Sequence, residues 1–158
     1  MKLYLVRHGD AVGEMVDRQR PLSQEGEKDV QTVAEYLKGR GIKLNLFWHS
    51  SKKRAQQTAQ IVRHVINPQG QLSVKEYLLP DDFPQTLLKE LEKMKEDVMV
   101  VGHLPFIPRL IAQLIQDSSQ AHTGFPTGAV AILEKQSSDK WRLLEILTPA
   151  ALAKQKSI

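Results

Sequence analysis

Short apolar runs alternate with amphipathic segments along almost the whole of this 158-residue chain, and this alternation restricts its fold more than any other feature. The runs at 3–6 and 98–101 have the length of buried strands and are too short for helices. Between such runs, apolar residues recur at helical spacing, as do Val30, Val33 and Leu37. Strands that alternate with helices predict an α/β fold, with helices on both faces of a mostly parallel sheet.

The predicted elements follow one another with short connections. Strands are predicted at 3–6, 44–48, 72–76, 98–101, 129–133 and 141–147, and helices from the N-cap Ser23 to Gly39, from the cap Ser50-Ser51 to Ile66, over 87–94 and from Pro105 to Ile115. The last two strands, joined by the polar turn 137–139, are expected to pair antiparallel, which gives the sheet one antiparallel strand. Because there is no repeat or linker, we predict a single three-layer α/β/α domain over residues 1–158.

Composition narrows the function classes. The chain has no cysteine, so it contains neither a disulfide nor a thiolate nucleophile or metal ligand. Its basic residues are scattered and its aromatic content is 6%, which argues against nucleic-acid binding. No stretch approaches the ~20 apolar residues that span a bilayer, so we expect a soluble, cytoplasmic protein with no membrane partner. The net charge of +4 suits an ordinary basic surface, or else an anionic substrate or acidic partner.

Polar residues cluster where the predicted strands end. Arg7-His8-Gly9 follows the first strand, the run from His49 to Arg54 follows the second, and Gly102-His103 follows the strand at 98–101. Because ligands bind outside the carboxyl ends of strands in open α/β sheets, we expect these groups to form one site. Arginine meets two phosphate oxygens through its planar fork, and a neutral imidazole is a competent nucleophile near pH 7. His8 is the predicted nucleophile, and Gly9 is expected to let the backbone turn sharply and approach the anion.

Three motifs in this order resemble the histidine phosphatase (phosphoglycerate-mutase-like) superfamily: Arg7-His8-Gly9, the run from Ser50 to Ala59, and Gly102-His103. The resemblance is strongest to its small SixA-type phosphohistidine phosphatase branch, and it runs from Lys2 to the C-terminus. It implies a role for each matching residue. His8 would become phosphohistidine, and Arg7, Arg54 and a protonated His103 would complete the phosphate pocket. Arg20, in Arg20-Pro21-Leu22, would contact substrate or phosphate from its loop.

Two departures from the larger family bear on the substrate. Only 48 residues separate Arg54 from His103, too few for the helical insertion that caps many sites of this family, so no cap domain is expected. The family's general acid, usually a carboxylate in that insertion, has no clear counterpart, and Asp81 and Asp82 are the nearest candidates. An alkoxide leaving group needs a proton, whereas an imidazole leaving from a P–N bond needs less help. An open site poor in acids therefore predicts phosphohistidine on another protein as the substrate.

The sequence thus predicts a metal-independent phosphatase that uses no cofactor and acts as a monomer. Its expected partner is a phosphohistidine-bearing phosphotransfer domain or phosphocarrier in bacterial signalling, and its product is phosphate. No His-x-x-x-His pair or carboxylate at ligand spacing indicates a metal site. Two alternatives are a small-molecule phosphomonoesterase of broad specificity and a non-catalytic module that binds phosphate or a phosphoprotein. His49 is expected to pack at its strand end, or else to line the pocket rim.

Overall fold

The computed structural model of the protein describes residues 1–122, 124–137 and 140–156. Its strands are β1 (Lys2–Arg7), β2 (Leu46–His49), β3 (Gln71–Val74), β4 (Val98–Gly102), β5 (Val130–Ser137) and β6 (Lys140–Leu147). Its helices are α1 (Gln24–Gly39), α2 (Lys53–Ile66), α3 (Gln85–Lys93), α4 (Phe106–Ile115) and α5 (Pro149–Lys156), with a short 3-10 helix at Ser118–His122. Within the described ranges, no helix is both long and apolar enough to cross a membrane.

Within the described ranges, the strands form one sheet in the order β3-β2-β4-β1-β5-β6. The pairs among β1, β2, β3 and β4 are parallel, whereas β5 runs antiparallel to both β1 and β6. The predicted sheet, mostly parallel with one antiparallel strand, is therefore confirmed. Because the first four strands point the same way, the loops that follow them emerge at a single edge, which we call the carboxyl edge.

Helices cover both faces of the sheet, as the apolar pattern predicts. Alternate residues of a strand point to opposite faces. Leu3 and Leu5 of β1 accordingly pack with α3 and α4, while Tyr4 and Val6 pack with α1, α2 and α5. β4 lies between β2 and β1, and all five of its residues are buried. The two apolar clusters, one on each face, give the three predicted layers and hold the carboxyl edge in place.

The structure also differs from the sequence-based prediction at several element ends. Ser23 does cap α1, since its Oγ accepts a hydrogen bond of 3.0 Å from the Gly26 N–H. The predicted cap Ser50-Ser51 is wrong, because the N-cap of α2 is Lys52, whose side chain makes no capping bond. Helix α5 was not expected: its one large buried apolar side chain, Leu152, gives no periodic stripe. Of the predicted 137–139 turn, residues 138 and 139 lie outside the described residues.

Candidate active site

The carboxyl edge brings together the three polar clusters that the sequence places after β1, β2 and β4. Backbone bonds join the strand ends, since the His8 N–H donates to the Gly102 carbonyl at 3.0 Å and the Ser50 N–H to the Val101 carbonyl at 3.3 Å. The ring centroids of His8 and His103 are 5.0 Å apart. The expected gathering of residues at one site is therefore present in the fold.

The His8 imidazole has one ring nitrogen engaged and the other available. Its Nδ1 lies 2.7 Å from the carbonyl oxygen of Gly9. Because a carbonyl oxygen can only accept, Nδ1 carries the hydrogen of the neutral ring, and Nε2 keeps an unshared electron pair. The pKa of His8 is lowered to about 4, mainly by burial. The charges of Arg54, Arg7 and Arg20 also lower this pKa, whereas the hydrogen bond to Gly9 raises it. His8 is therefore neutral, with a free Nε2, near pH 7.

Two guanidinium groups at this edge have buried nitrogens without a protein partner. Among the described residues, the Nε atoms of Arg7 and Arg54 find no hydrogen-bond partner, although Arg7 Nη1 donates to the Phe125 carbonyl at 2.9 Å. Burial lowers the pKa of both groups, yet arginine stays charged in proteins. Buried donors without partners are costly, so two of them at one edge of the sheet point to a ligand rich in acceptor oxygens.

His103 has the same kind of unsatisfied atom. The residue is 1% exposed and its Nε2 lies 2.6 Å from the Ser50 hydroxyl, while its buried Nδ1 has no partner within the described part of the chain. Burial, then the neighbouring His8, Arg54, Lys52 and Arg7, lower its pKa to about 3. Burial and the chain's own charges therefore keep His103 neutral at pH 7. The protonated form expected from the sequence requires the added negative charge of a bound anion.

Arg20 reaches the site from the loop between β1 and α1. Its Nε donates to the Val12 carbonyl at 3.0 Å, and its backbone has a φ of +48°, a left-handed conformation unusual for a residue other than glycine. Its charge lowers the pKa of both His8 and Arg54, and it lines a cavity of about 570 Å³ together with Arg54. Arg20 is thus a third cation close to His8, as expected, while its contact with substrate stays a prediction.

Similarity to known proteins accords with this geometry. The family model of the histidine phosphatase superfamily (branch 1) matches residues 3–78. The chain is 26% identical to phosphohistidine phosphatase SixA of Escherichia coli (strain K12), and the match covers 100% of both chains. A solved structure of the protein histidine phosphatase SixA complexed with tungstate matches with a TM-score of 0.87 at 25% identity, over 96% of this chain and 99% of that one. The chain is thus similar to the histidine phosphatase superfamily over residues 3–78 and to SixA over its whole length.

A further solved structure, from Agrobacterium tumefaciens, has the same fold, with a TM-score of 0.79 at 24% identity over 94% of this chain and 97% of that one. The segment matched by the family model includes Arg7, His8 and Arg54 but ends before His103. The position of His103 beside His8 therefore comes from the fold itself. The similarity to the family model and to SixA supports a phosphatase activity for this chain.

Thr58 is a residue of this site whose role the sequence does not reveal. Its fully buried hydroxyl accepts a 3.0 Å bond from the Gly9 N–H and donates a 2.8 Å bond to the Arg54 carbonyl. One side chain therefore ties the loop that carries His8 to the first turn of α2, which carries Arg54. Thr58 lies within the motif that runs from Ser50 to Ala59, but the spacing of this motif does not tell which backbone atoms the Thr58 hydroxyl bonds.

The structure indicates a different reason for a glycine at position 9 from the one expected. Its φ is not in the positive range, so no sharp glycine turn is present. A Cβ at this position would lie 2.7 Å from Val30 Cγ2 and 3.0 Å from the Gly26 carbonyl oxygen, both in α1. Gly9 thus permits the loop after β1 to pack closely on α1, and its own contact with an anion stays a prediction.

Neither candidate acid is linked to the site in the structure. Asp82 Oδ2 accepts a 2.8 Å bond from the Leu79 N–H and so closes its own turn, while Asp81 is exposed. Among the described residues, every charged group that shifts the pKa of His8 or His103 is a cation or the other histidine.

His49 is 5% exposed, with Nδ1 2.8 Å from the Ser50 carbonyl oxygen, which agrees with packing at the strand end. In the described ranges no group of three or more histidines and carboxylates is arranged for a metal ion.

Replacing Thr58 with Val should weaken both the fold and the site. The substitution keeps the shape but leaves the buried Gly9 N–H without an acceptor, which costs about 1–3 kcal/mol. We expect a lower free energy of unfolding in urea titrations and a phosphatase kcat about tenfold lower, because His8 and Arg54 lose their link. Thr58→Ser is the matched control and should retain most of both. A loss in Thr58→Ser with none in Thr58→Val would show that the methyl group, not the hydroxyl, matters.

Stability should fall in acid because two buried histidines must become protonated. The pKa values of His8 and His103 are about 4 and 3 in the folded protein, below the ordinary 6.5. Between these values the unfolded chain binds more protons, so the free energy of unfolding rises with pH. The stabilisation is complete above pH 6.5 and is lost progressively as the pH falls through 4 and then 3. Urea titrations from pH 7 to pH 4 should show this decrease, and a His8→Asn/His103→Asn variant should show a shallower one.

Proposed function

We propose that this protein is a phosphohistidine phosphatase that removes phosphate from a histidine-containing phosphotransfer protein, through a covalent phosphohistidine on His8. The observation that carries the proposal is the available Nε2 of a neutral, buried imidazole beside guanidinium nitrogens that have no protein partner. The similarity to SixA supports the choice of substrate, and tungstate, which the solved SixA structure contains, is a tetrahedral dianion like phosphate.

In the first half-reaction, the lone pair of His8 Nε2 attacks phosphorus and the P–N bond to the substrate imidazole breaks. The departing imidazole takes the bonding pair and leaves as a neutral ring when its other nitrogen carries a proton, so no acid from the enzyme is needed. Arg7, Arg54 and Arg20 stabilise the charge on the equatorial oxygens. The dianion raises the pKa of His103, whose protonated ring then contributes a further donor.

In the second half-reaction, water attacks the phosphorus on His8 and inorganic phosphate leaves. His8 Nε2 recovers its electron pair while Nδ1 keeps its hydrogen bond to the Gly9 carbonyl, so the leaving ring is again neutral imidazole. The fixed tautomer thus serves both halves of the cycle. We propose that a single domain over residues 1–158 performs this reaction as a cytoplasmic monomer in signalling, without metal or cofactor.

The proposal is tested by comparing substrate classes. The protein is incubated with a histidine phosphotransfer domain carrying ³²P on its histidine, and with p-nitrophenyl phosphate and a sugar phosphate. We expect an acid-labile, base-stable label on the protein, release of phosphate, and a much higher kcat/KM for the phosphodomain. Faster hydrolysis of the phosphomonoesters would favour the small-molecule phosphatase instead. Tight phosphate binding without turnover of any substrate would favour the binding module.

A further inference from the structure

The cavity lined by Arg20 and Arg54, two cations that lower the pKa of His8, carries more positive charge than one phosphate group requires. Five of its lining residues are cationic, and Glu14 is the lining carboxylate. These cations are Arg18, Arg20, Lys52, Lys53 and Arg54. Arg54 and Arg20 lie close enough to His8 to lower its pKa, whereas Arg18 and Lys53 are not among the groups that do so. The outer cations therefore extend the positive surface beyond the reacting phosphoryl group.

An exposed apolar tip lies in the same loop as Arg18. Met15 is fully exposed and Val16 is 77% exposed, although both are large hydrophobic side chains. The tip is held by turns, because the N–H groups of Val16 and Asp17 donate to the Gly13 carbonyl at 3.0 and 3.1 Å. Single exposed apolar residues are common, but two consecutive ones in an ordered loop beside a catalytic opening suggest a contact surface.

We propose that the outer cations and the Met15-Val16 tip form a docking surface for an acidic, partly apolar face of the protein that carries phosphohistidine. This inference rests on the proposed function and adds to it the way in which the partner is recognised. A small phosphate ester would meet only the inner cations, whereas a protein domain reaches the outer ones. Complementary charge would speed the encounter and orient the phosphohistidine toward His8.

A protein partner fits this surface better than an anionic membrane does. The apolar tip has only two large side chains, fewer than a stable membrane anchor uses. Glu14 and Asp17 flank it directly, and their carboxylates would be repelled by anionic lipid headgroups. A folded domain can place its own cations or polar groups opposite these two residues, and its carboxylates opposite Arg18 and Lys53.

The test compares kcat/KM on two substrates that share the P–N bond, a histidine phosphotransfer domain phosphorylated on histidine and free phosphohistidine. The variants are Arg18→Glu and the double variant Met15→Ser/Val16→Ser. We expect each to lower kcat/KM about tenfold on the phosphodomain and less than about twofold on free phosphohistidine. Lys43→Glu is the matched control, since it reverses an exposed charge just before β2, at the opposite edge of the sheet. It should leave both values unchanged.

The outcomes separate docking from the proposed activity. Suppose that the wild-type protein hydrolyses both substrates. If the variants then lose the same activity on both substrates, or lose no activity on either, the proposed docking surface is wrong while the proposed phosphatase activity stands. If the wild-type protein hydrolyses neither, the proposed function itself fails. Salt should lower the wild-type kcat/KM for the phosphodomain more than for free phosphohistidine. The tip would be assigned to membrane binding instead if the wild-type protein sediments with phosphatidylserine vesicles, the Met15→Ser/Val16→Ser variant does not, and kcat/KM on the phosphodomain is the same for both.

Discussion

Replacing His8 with Ala should abolish the covalent label and lower kcat/KM for a phosphohistidine substrate on the order of 10⁵-fold. The physical reason is that the substitution removes the Nε2 lone pair that attacks phosphorus, while the neighbouring His103 has its Nε2 2.6 Å from the Ser50 hydroxyl. The remaining arginines would still bind the anion. The measurement pairs single-turnover phosphate release with an assay for acid-labile ³²P on the protein.

His64→Ala is the control for this experiment, because His64 is an exposed histidine on α2, away from the carboxyl edge. It should leave labelling and turnover unchanged. Tungstate binding, measured by calorimetry, should persist in His8→Ala, which would show that the pocket remains intact without its nucleophile. A label that survived in His8→Ala at the wild-type rate would assign the covalent step to another residue.

Much of the fold could be predicted because it depends on local patterns. The buried run at 98–101 and the helical spacing of Val30, Val33 and Leu37 each fix one element without reference to the rest of the chain. Parallel pairing then follows from the alternation of strands and helices. The gathering of His8 and His103 at one edge could be expected for the same reason, since residues after parallel strands share an edge.

The contacts within the site could not be predicted because they join atoms distant in sequence. The bond from the Gly9 N–H to Thr58 Oγ1 spans 49 residues, and the pair of Ser50 and His103 spans 53. Spacing indicates which residues approach each other, but not whether a hydroxyl meets a ring or a backbone N–H. The protonation of His103 in the working state stays a prediction, since spacing does not reveal the burial that lowers the pKa of this histidine.

Replacing Arg54 is expected to have the second-largest effect. Arg54 lies in the first turn of α2 with a buried Nε that has no protein partner, so its fork is free for two phosphate oxygens. We expect Arg54→Ala to lower kcat about 10³-fold and Arg54→Lys about 10²-fold, since lysine keeps the charge but not the planar pair of donors. Arg109→Ala, at an exposed arginine on α4, is the control and should have no effect.

The pH profile distinguishes a direct role of Arg54 from a loss of folding. Its positive charge is one of the causes that lower the pKa of His8, so its removal should raise that pKa. The rate requires unprotonated His8, so log kcat/KM of the wild-type protein should fall in acid near pH 4. This acid limb should move to higher pH in Arg54→Ala. It should stay in place in Arg54→Lys, because lysine keeps the positive charge. A general disturbance of the fold would lower the rate at every pH without moving the limb. An unmoved limb in Arg54→Ala, together with a wild-type rate, would remove Arg54 from the site, because a cation held beside His8 must affect both.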